Sequence, residues 1–333
     1  SVTITGNVND TDGNGIADVE LFFVNGLNIT NVFTNTSGAF SASIVDDSGT
    51  YDIYVGKWGY ISQLAEGITF DNNNTTIDFT LETGYYDDFT LDFGWTVNGD
   101  ATVGIWERGV PFGTSNNGIL SNPNEDSAND LGLVCYVTGN AESNSAGFDD
   151  VDDGSTILTS PIFDLTGYDN AEISFERWFA NSSGNSTPND ELLIKLSNGS
   201  TTVTVETITS NDANLSQWVA SSFLVNDFFT PTANMQFIIE TGDLGDGHLV
   251  EAGLDNFKIE DVEVVLPIVI AGQVTDENGL AIPFAEVLIS NNNTNIELTS
   301  DANGNFSTTV SQADNYDIFA GKWGFQTAVL ANN

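Results

Sequence analysis

Two stretches of this chain are nearly the same decapeptide: "YDIYVGKWGY" at 51–60 and "YDIFAGKWGF" at 316–325. They are offset by 316 − 51 = 265 residues. The copies differ at Tyr54/Phe319, Val55/Ala320 and Tyr60/Phe325, each an exchange of one apolar or aromatic residue for another. A packing requirement varies in that way, whereas a binding site would hold its polar atoms fixed. The likeness extends upstream. "ITGNVNDTDGNGIADVELFF" from Ile4 answers "IAGQVTDENGLAIPFAEVLI" from Ile270, and "TNTSGAFSASIVDDSGTYDI" from Thr34 answers "TSDANGNFSTTVSQADNYDI" from Thr299. Residues 1–84 and 266–333 are therefore two copies of one module, with an unrepeated segment, 85–265, between them. The first copy continues into "TTIDFTLETG", whereas the second has no equivalent before Asn333. This predicts a window of about one period on a longer repetitive protein.

Short strand signals recur throughout and Gly/Asn/Asp turns separate them. In "GAFSASIV", Phe40, Ala42 and Ile44 fall on one face. In the middle segment Ile173 and Phe175 share a face, as do Leu192, Ile194 and Leu196, and Met235, Phe237 and Ile239. The fold class is all-β, built of antiparallel sandwiches.

The module's order is G-x-V-x-D, an N-G turn, an apolar strand, T-x-x-x-G-x-F and then Y-D-I-x-x-x-K-x-G-Y/F. It resembles the carboxypeptidase regulatory-like domain. That resemblance implies a transthyretin-like seven-stranded sandwich without catalytic residues, in which Trp58 and Trp323 are aromatic plugs beside glycine turns. The middle segment opens with D-D-F at 87–89, carries T-x-L-x-S-P-x-F-D-L at 156–165, and closes with V-E-A-G-x-D-x-F at 250–257. It is similar to the MAM-like jelly-roll domains of secreted bacterial proteins.

Composition narrows the chemistry. With 48 acidic and 6 basic side chains the net charge is −42, which excludes a nucleic-acid partner, whose phosphates need Lys and Arg. It also opposes anionic membranes. The longest apolar run, 264–272, is too short to span a bilayer and contains Pro267. Self-repulsion on this scale calls for screening or for bound Ca²⁺, both of which point outside the cell. His248 is the single histidine and Cys135 the single cysteine, so a zinc site is poorly supplied. No G-x-S-x-G elbow accompanies His248, and Cys135 is expected to be a small buried hydrophobe.

Calcium fits better, because Asp, Asn and turn carbonyls supply hard oxygens. The MAM-like resemblance implies an ion held by Asp88, Asp152, Glu251 and Asp255, tying the first strand of the middle domain to the last. The sequence departs from that pattern at Asp153 and Asn256. A second, weaker candidate is "DTDGNGIAD", where Asp10, Asp12, Asn14 and Asp18 stand at EF-hand-like spacing. It lacks the closing Glu, and the other copy, "TDENGLAIP", keeps only the N-G turn. For glycan binding, Trp95, Trp178 and Trp218 sit in apolar context, leaving Trp106 in "GIWERG" as the aromatic expected at the surface.

Together these features resemble a segment of the giant secreted adhesins or filaments of marine Bacteroidota. They imply a non-enzymatic extracellular unit that packs against neighbouring repeats or copies of itself and attaches to other cells or glycans. Two alternatives stay open: an accessory region of a secreted hydrolase, or a glycan-binding module.

Overall fold

The computed structural model describes residues 1–45, 49–71, 75–128, 130–140, 143, 145–181, 183–245, 247–263, 267–311 and 315–331. Among these the regular structure is all strand apart from one 3₁₀ turn, Val225–Asp227. The chain divides into two compact units, Ser1–Val262 and Glu263–Asn333. The first module and the middle segment therefore belong to one body.

The first module places seven described strands in two sheets. Val2–Asp10 pairs antiparallel with Ala39–Ile44 and parallel with Phe79–Leu81. The facing sheet runs Asn28–Phe33, Glu20–Asn25, Thr50–Gly56, Gln63–Thr69. Phe40, Ala42 and Ile44 point inward as their alternation requires, and join Ile4, Val8, Leu21, Phe23, Ile53 and Leu81 in one core. Gly6 opposes Phe40 across the sheet, and a Cβ at Gly6 would meet that ring at 2.9 Å and the Ile77 carbonyl at 1.7 Å. The glycine of G-x-V is thus a close-approach residue.

The second unit repeats this plan. Pro267–Gln273 pairs with Asn305–Ser311, again setting a glycine, Gly272, opposite a phenylalanine, Phe306. Its other sheet runs Asn295–Thr299, Glu286–Ser290, Asp317–Gly321, Ala328–Leu330. Its fully buried cluster is small: Val287, Ile289 and Val310.

The middle segment is a second, larger sandwich of two antiparallel sheets. One runs Thr202–Thr209, Glu191–Ser197, Gln236–Asp243, Gly154–Thr159, Thr96–Gly99. The other runs Trp106–Gly109, Cys135–Thr138, Glu251–Asp261, Ala171–Ala180, Val219–Leu224. Leu192, Ile194, Leu196, Met235, Phe237 and Ile239 line the core, the face their period-two spacing assigns. Along one edge the long strand Glu251–Asp261 has two partners end to end. Cys135–Thr138 pairs at Gly253 and Leu254, and Tyr85–Asp87 pairs at Phe257 to Ile259. Asp255 and Asn256 fall in the break between them, and Asn256 turns to a φ of 50°.

Candidate metal centre

The break in that edge is where acids collect. Asp255 is fully buried, and its oxygens accept backbone hydrogen bonds from Ser127 at 3.1 Å and Asn256 at 2.7 Å. Oxygens of Asp126, Asp130 and Asp255 lie within 4.8 Å of one another. Among the described residues, both Asp126 oxygens and Oδ2 of Asp130 are buried with no hydrogen-bond partner. Asp88 stands beside them, its carboxylate held by the Thr90 hydroxyl at 3.0 Å.

Burial pushes Asp255 up to about 10, reinforced by the charges of Asp126 and Asp130. Burial likewise pushes Asp130 up to about 7, with Asp126 and Asp88 adding to it. Asp126 and Asp88 are raised for the same first reason. Carboxylates crowded together out of water resist ionising unless a cation joins them. Hard oxygens, several of them orphaned, on elements from three parts of the sandwich fit a Ca²⁺-type ion.

Of the four implied ligands, the structure brings together Asp88 and Asp255 only. Glu251 is buried elsewhere, accepting a 2.8 Å hydrogen bond from the Thr138 hydroxyl. Burial holds it well above the usual carboxylate range, with Asp150 and Asp149 as its charged neighbours. Asp152 lies next to Asp150 and Asp243 and is bridged to Val103. In the V-E-A-G-x-D run Glu251 and Asp255 are four apart on one strand, so they share a face. Their separation along the strand is about 13 Å, too far for one ion. Asp126 and Asp130 were missed because they lie in an irregular loop, where no periodicity announces them.

The second candidate is a turn. Asp10 Oδ1 accepts from the backbone N–H of Asp12 at 3.0 Å and of Asn14 at 2.8 Å. Asp276 does the same for Asn278 and Leu280 in the other module. These hydrogen bonds, the Asn14 side chain's first among them, hold the Asp10 carboxyl below its usual value. Asp12 and Asp18 are both exposed.

Trp106 corrects the expectation of a surface aromatic. It is 2 % exposed, its indole donating to the Thr156 carbonyl at 3.3 Å. In "GIWERG" the flanking Ile105 and Glu107 face outward, and alternation turns the tryptophan in. Trp95 and Trp178 are buried as well.

Trp58 also differs from its expected role, because it plugs the neighbouring sandwich instead of its own module. Its ring stacks on Phe257 at 6.1 Å and 20°, meets the edge of Trp95 at 6.3 Å, and packs with Tyr85 and Phe163. Its indole N–H donates to the Ile162 carbonyl at 2.7 Å. The rest of the decapeptide aims the ring. Lys57 Nζ donates to the Ala17 carbonyl at 2.7 Å, and Gly59 takes a φ of 93°.

His248 has company that the sequence did not disclose. Nδ1 donates to Asp190 at 2.7 Å, and the Ser186 hydroxyl lies 2.8 Å from Nε2. Asp243 accepts from the His248 backbone N–H at 3.1 Å. The imidazole is 1 % exposed, and the adjacent cavity, about 260 Å³, is lined by Asp190 and Leu244 but touches neither Ser186 nor His248. Cys135 is buried, which holds its thiol well above the usual range. A larger groove of about 650 Å³ crosses the sheet of Ala171–Ala180 and is walled by Tyr86, Glu172, Glu176, Ser222 and Lys258.

Comparison with known proteins bears on the modules first. The carboxypeptidase regulatory-like domain model matches residues 3–82 and 269–332, the two repeated modules. No curated protein matches the chain significantly. Among solved structures, the K1 cleaved adhesin domain of Lys-gingipain from Porphyromonas gingivalis W83 is 15% identical, over 54% of this chain and 99% of its own, with a TM-score of 0.35. A carbohydrate-binding module of the β-sandwich superfamily is 13% identical over 78% and 98%, with a TM-score of 0.33. The major pilin subunit of Bacillus cereus is 12% identical over 96% and 88%, with a TM-score of 0.20. Likenesses this distant leave function to be argued from the chain's own residues.

Proposed function

We propose that this chain is a non-catalytic segment of a long extracellular filament or adhesin, a stiff spacer that carries attachment to other cells or surfaces. The observation that supports it is the seating of Trp58. A side chain of the first module packs against the core of the middle sandwich, and the two domains form one compact unit. Ca²⁺ at Asp126, Asp130 and Asp255, with Asp88 beside them, would fasten the strand Tyr85–Asp87 to the loop at 126–130 and to the closing strand. That cross-tie resists peeling from the end where the first module pulls.

The test is mechanical. Pulled from its ends with Ca²⁺ present, residues 1–262 should extend in one cooperative event. A separate low-force step parting the first module from the middle sandwich would remove the spacer reading. A glycan-binding role is favoured by one observation, the polar groove beside Tyr86. It predicts retention on a polysaccharide that Glu172→Ala/Glu176→Ala abolishes without a change in melting temperature.

A further inference from the structure

The second module presents the same aiming device, and among the described residues nothing is seated on it. Lys322 Nζ donates to the Pro283 carbonyl, the counterpart of Lys57 on Ala17, and Gly324 takes a φ of 97° against 93° at Gly59. The loop geometry that directs Trp58 is thus intact around Trp323. Yet Trp323 is 101% exposed, whereas Trp58 is half-buried under five aromatic rings and holds a carbonyl. Its neighbours are apolar and open too: Phe325 at 51% and Phe284 at 62%, the three lining one shallow depression. Phe284 holds a φ of 53°, a left-handed conformation that bulky side chains seldom adopt, and it does so facing solvent. A fully exposed tryptophan beside two exposed phenylalanines is costly in water and marks a docking surface.

We infer that Trp323 is the anchor for a further sandwich of the 85–262 kind, received in a slot equivalent to the one Trp58 fills. The occupant is fixed by the seated example, Trp58. The same K-W-G tripeptide, aimed by the same lysine–carbonyl bond, enters a slot built from the Ile162 carbonyl, Phe257, Trp95, Phe163 and Tyr85. That slot offers what an indole needs, aromatic faces and one carbonyl for the N–H. Tyr60 becoming Phe325 keeps the flank aromatic. The inference rests on the spacer reading and gives it a joint: each module locks the sandwich that follows it.

The experiment extends the chain with itself. Asn333 corresponds to residue 333 − 265 = 68, so the full chain is continued with its own residues 69–262. Acrylamide quenching of Trp323 is obtained as the difference between the parent protein and Trp323→Ala. It should fall several-fold on going from the 333-residue chain to the extended one. Trp323→Ala should lower the melting temperature of the added sandwich by about as many degrees as Trp58→Ala lowers that of the first, and leave the 333-residue chain unchanged. Equal quenching of Trp323 in both proteins overturns the inference. So does an added sandwich that melts identically in the parent and in the Trp323→Ala variant, or one that fails to fold behind Trp323, since the same residues fold behind Trp58. None of these readouts involves attachment or force, so failure here leaves the spacer reading to its own test.

Discussion

The two modules share a sequence but not a situation, and the contrast separates what the decapeptide does for itself from what it does for a neighbour. Inward-facing work is the same in both. Thr34 accepts from Val19 and donates to Ile16, as Ser300 accepts from Ala285 and donates to Ile282. Each lysine ties its loop to a carbonyl of the strand-entry turn. Outward-facing work differs, since Trp58 is part of another domain's core and Trp323 stands in solvent. Packing inside the module therefore calls for Lys and Gly, and packing outside it calls for Trp. A single repeated string serves two interfaces.

That division predicts the largest asymmetry. Trp58→Ala removes an indole that stacks on Phe257 and strands the Ile162 carbonyl. It should cost the 1–262 unit about 3 kcal/mol, within the range for large aromatic truncations. Trp323→Ala in the same 333-residue chain should leave the melting profile unmoved. Calorimetry on the two variants checks both statements at once, and equal losses would erase the distinction between the modules.

Calcium should sharpen the contrast in a second way. The two close groups of metal-capable side chains found among the described residues both lie in the middle sandwich, so chelation should lower the melting of the 1–262 unit alone. A site near 100-fold saturation contributes about 2.7 kcal/mol, which for a unit of this size is a shift of about 5–10 °C. Asp255→Asn should abolish the response and should stabilise the chelated protein at neutral pH, because it removes a carboxyl that burial forces to take up a proton on folding. The pH dependence has a definite sign. Asp255 titrates near 3.8 when unfolded and near 10 when folded without a cation, and Asp130 moves from 3.8 to about 7. In chelator the contribution of these two groups is complete below about pH 3.8 and drains away as pH climbs from there, to 7 for Asp130 and toward 10 for Asp255. With Ca²⁺ bound the ionised forms are the ligands, and the slope between pH 5 and 8 should flatten or reverse. Identical slopes in chelator and in Ca²⁺ would discard the metal centre.

Much of the fold could be read from the sequence because it is periodic. The alternations of Phe40, Ala42 and Ile44, and of Leu192, Ile194 and Leu196, place those side chains inward as the structure has them. The two repeated modules were equally visible in their turn chemistry. The candidate site was only half legible. Asp88 and Asp255 sit on or beside strands whose ends carry recognisable runs, whereas Asp126 and Asp130 are brought in by a loop, and loop positions have no period to betray them. Glu251 misled for the opposite reason. It shares a motif with Asp255, yet four residues of extended strand hold the two apart. Trp106 was misjudged from charged neighbours, although strand alternation makes a charged flank the usual companion of a buried residue. Trp58 could not have been placed from sequence at all, since its partner carbonyl lies 104 residues away.

Two smaller effects test how alike the modules are inside. Lys57→Ala and Lys322→Ala should each cost about 1–2 kcal/mol, the loss of a charged donor to a partly buried carbonyl. The smallest effect belongs to the turn at Asp10. Its carboxylate gathers the N–H groups of Asp12 and Asn14, and Asp276 gathers the matching pair in the other copy. Asparagine can accept the same bonds, so Asp10→Asn and Asp276→Asn should be close to neutral, while Asp10→Ala and Asp276→Ala should each lower the melting temperature slightly and equally. Because hydrogen bonding depresses the Asp10 carboxyl, its share of stability is present above its unfolded value of 3.8 and lost as pH falls below it. That dependence runs opposite to Asp255 and should not change with Ca²⁺. If Ca²⁺ instead protected Asp10 from acid, or if Asp10→Asn abolished a calcium response that Asp276→Asn left intact, the first module would hold an ion of its own and the two copies would differ inside as well as out.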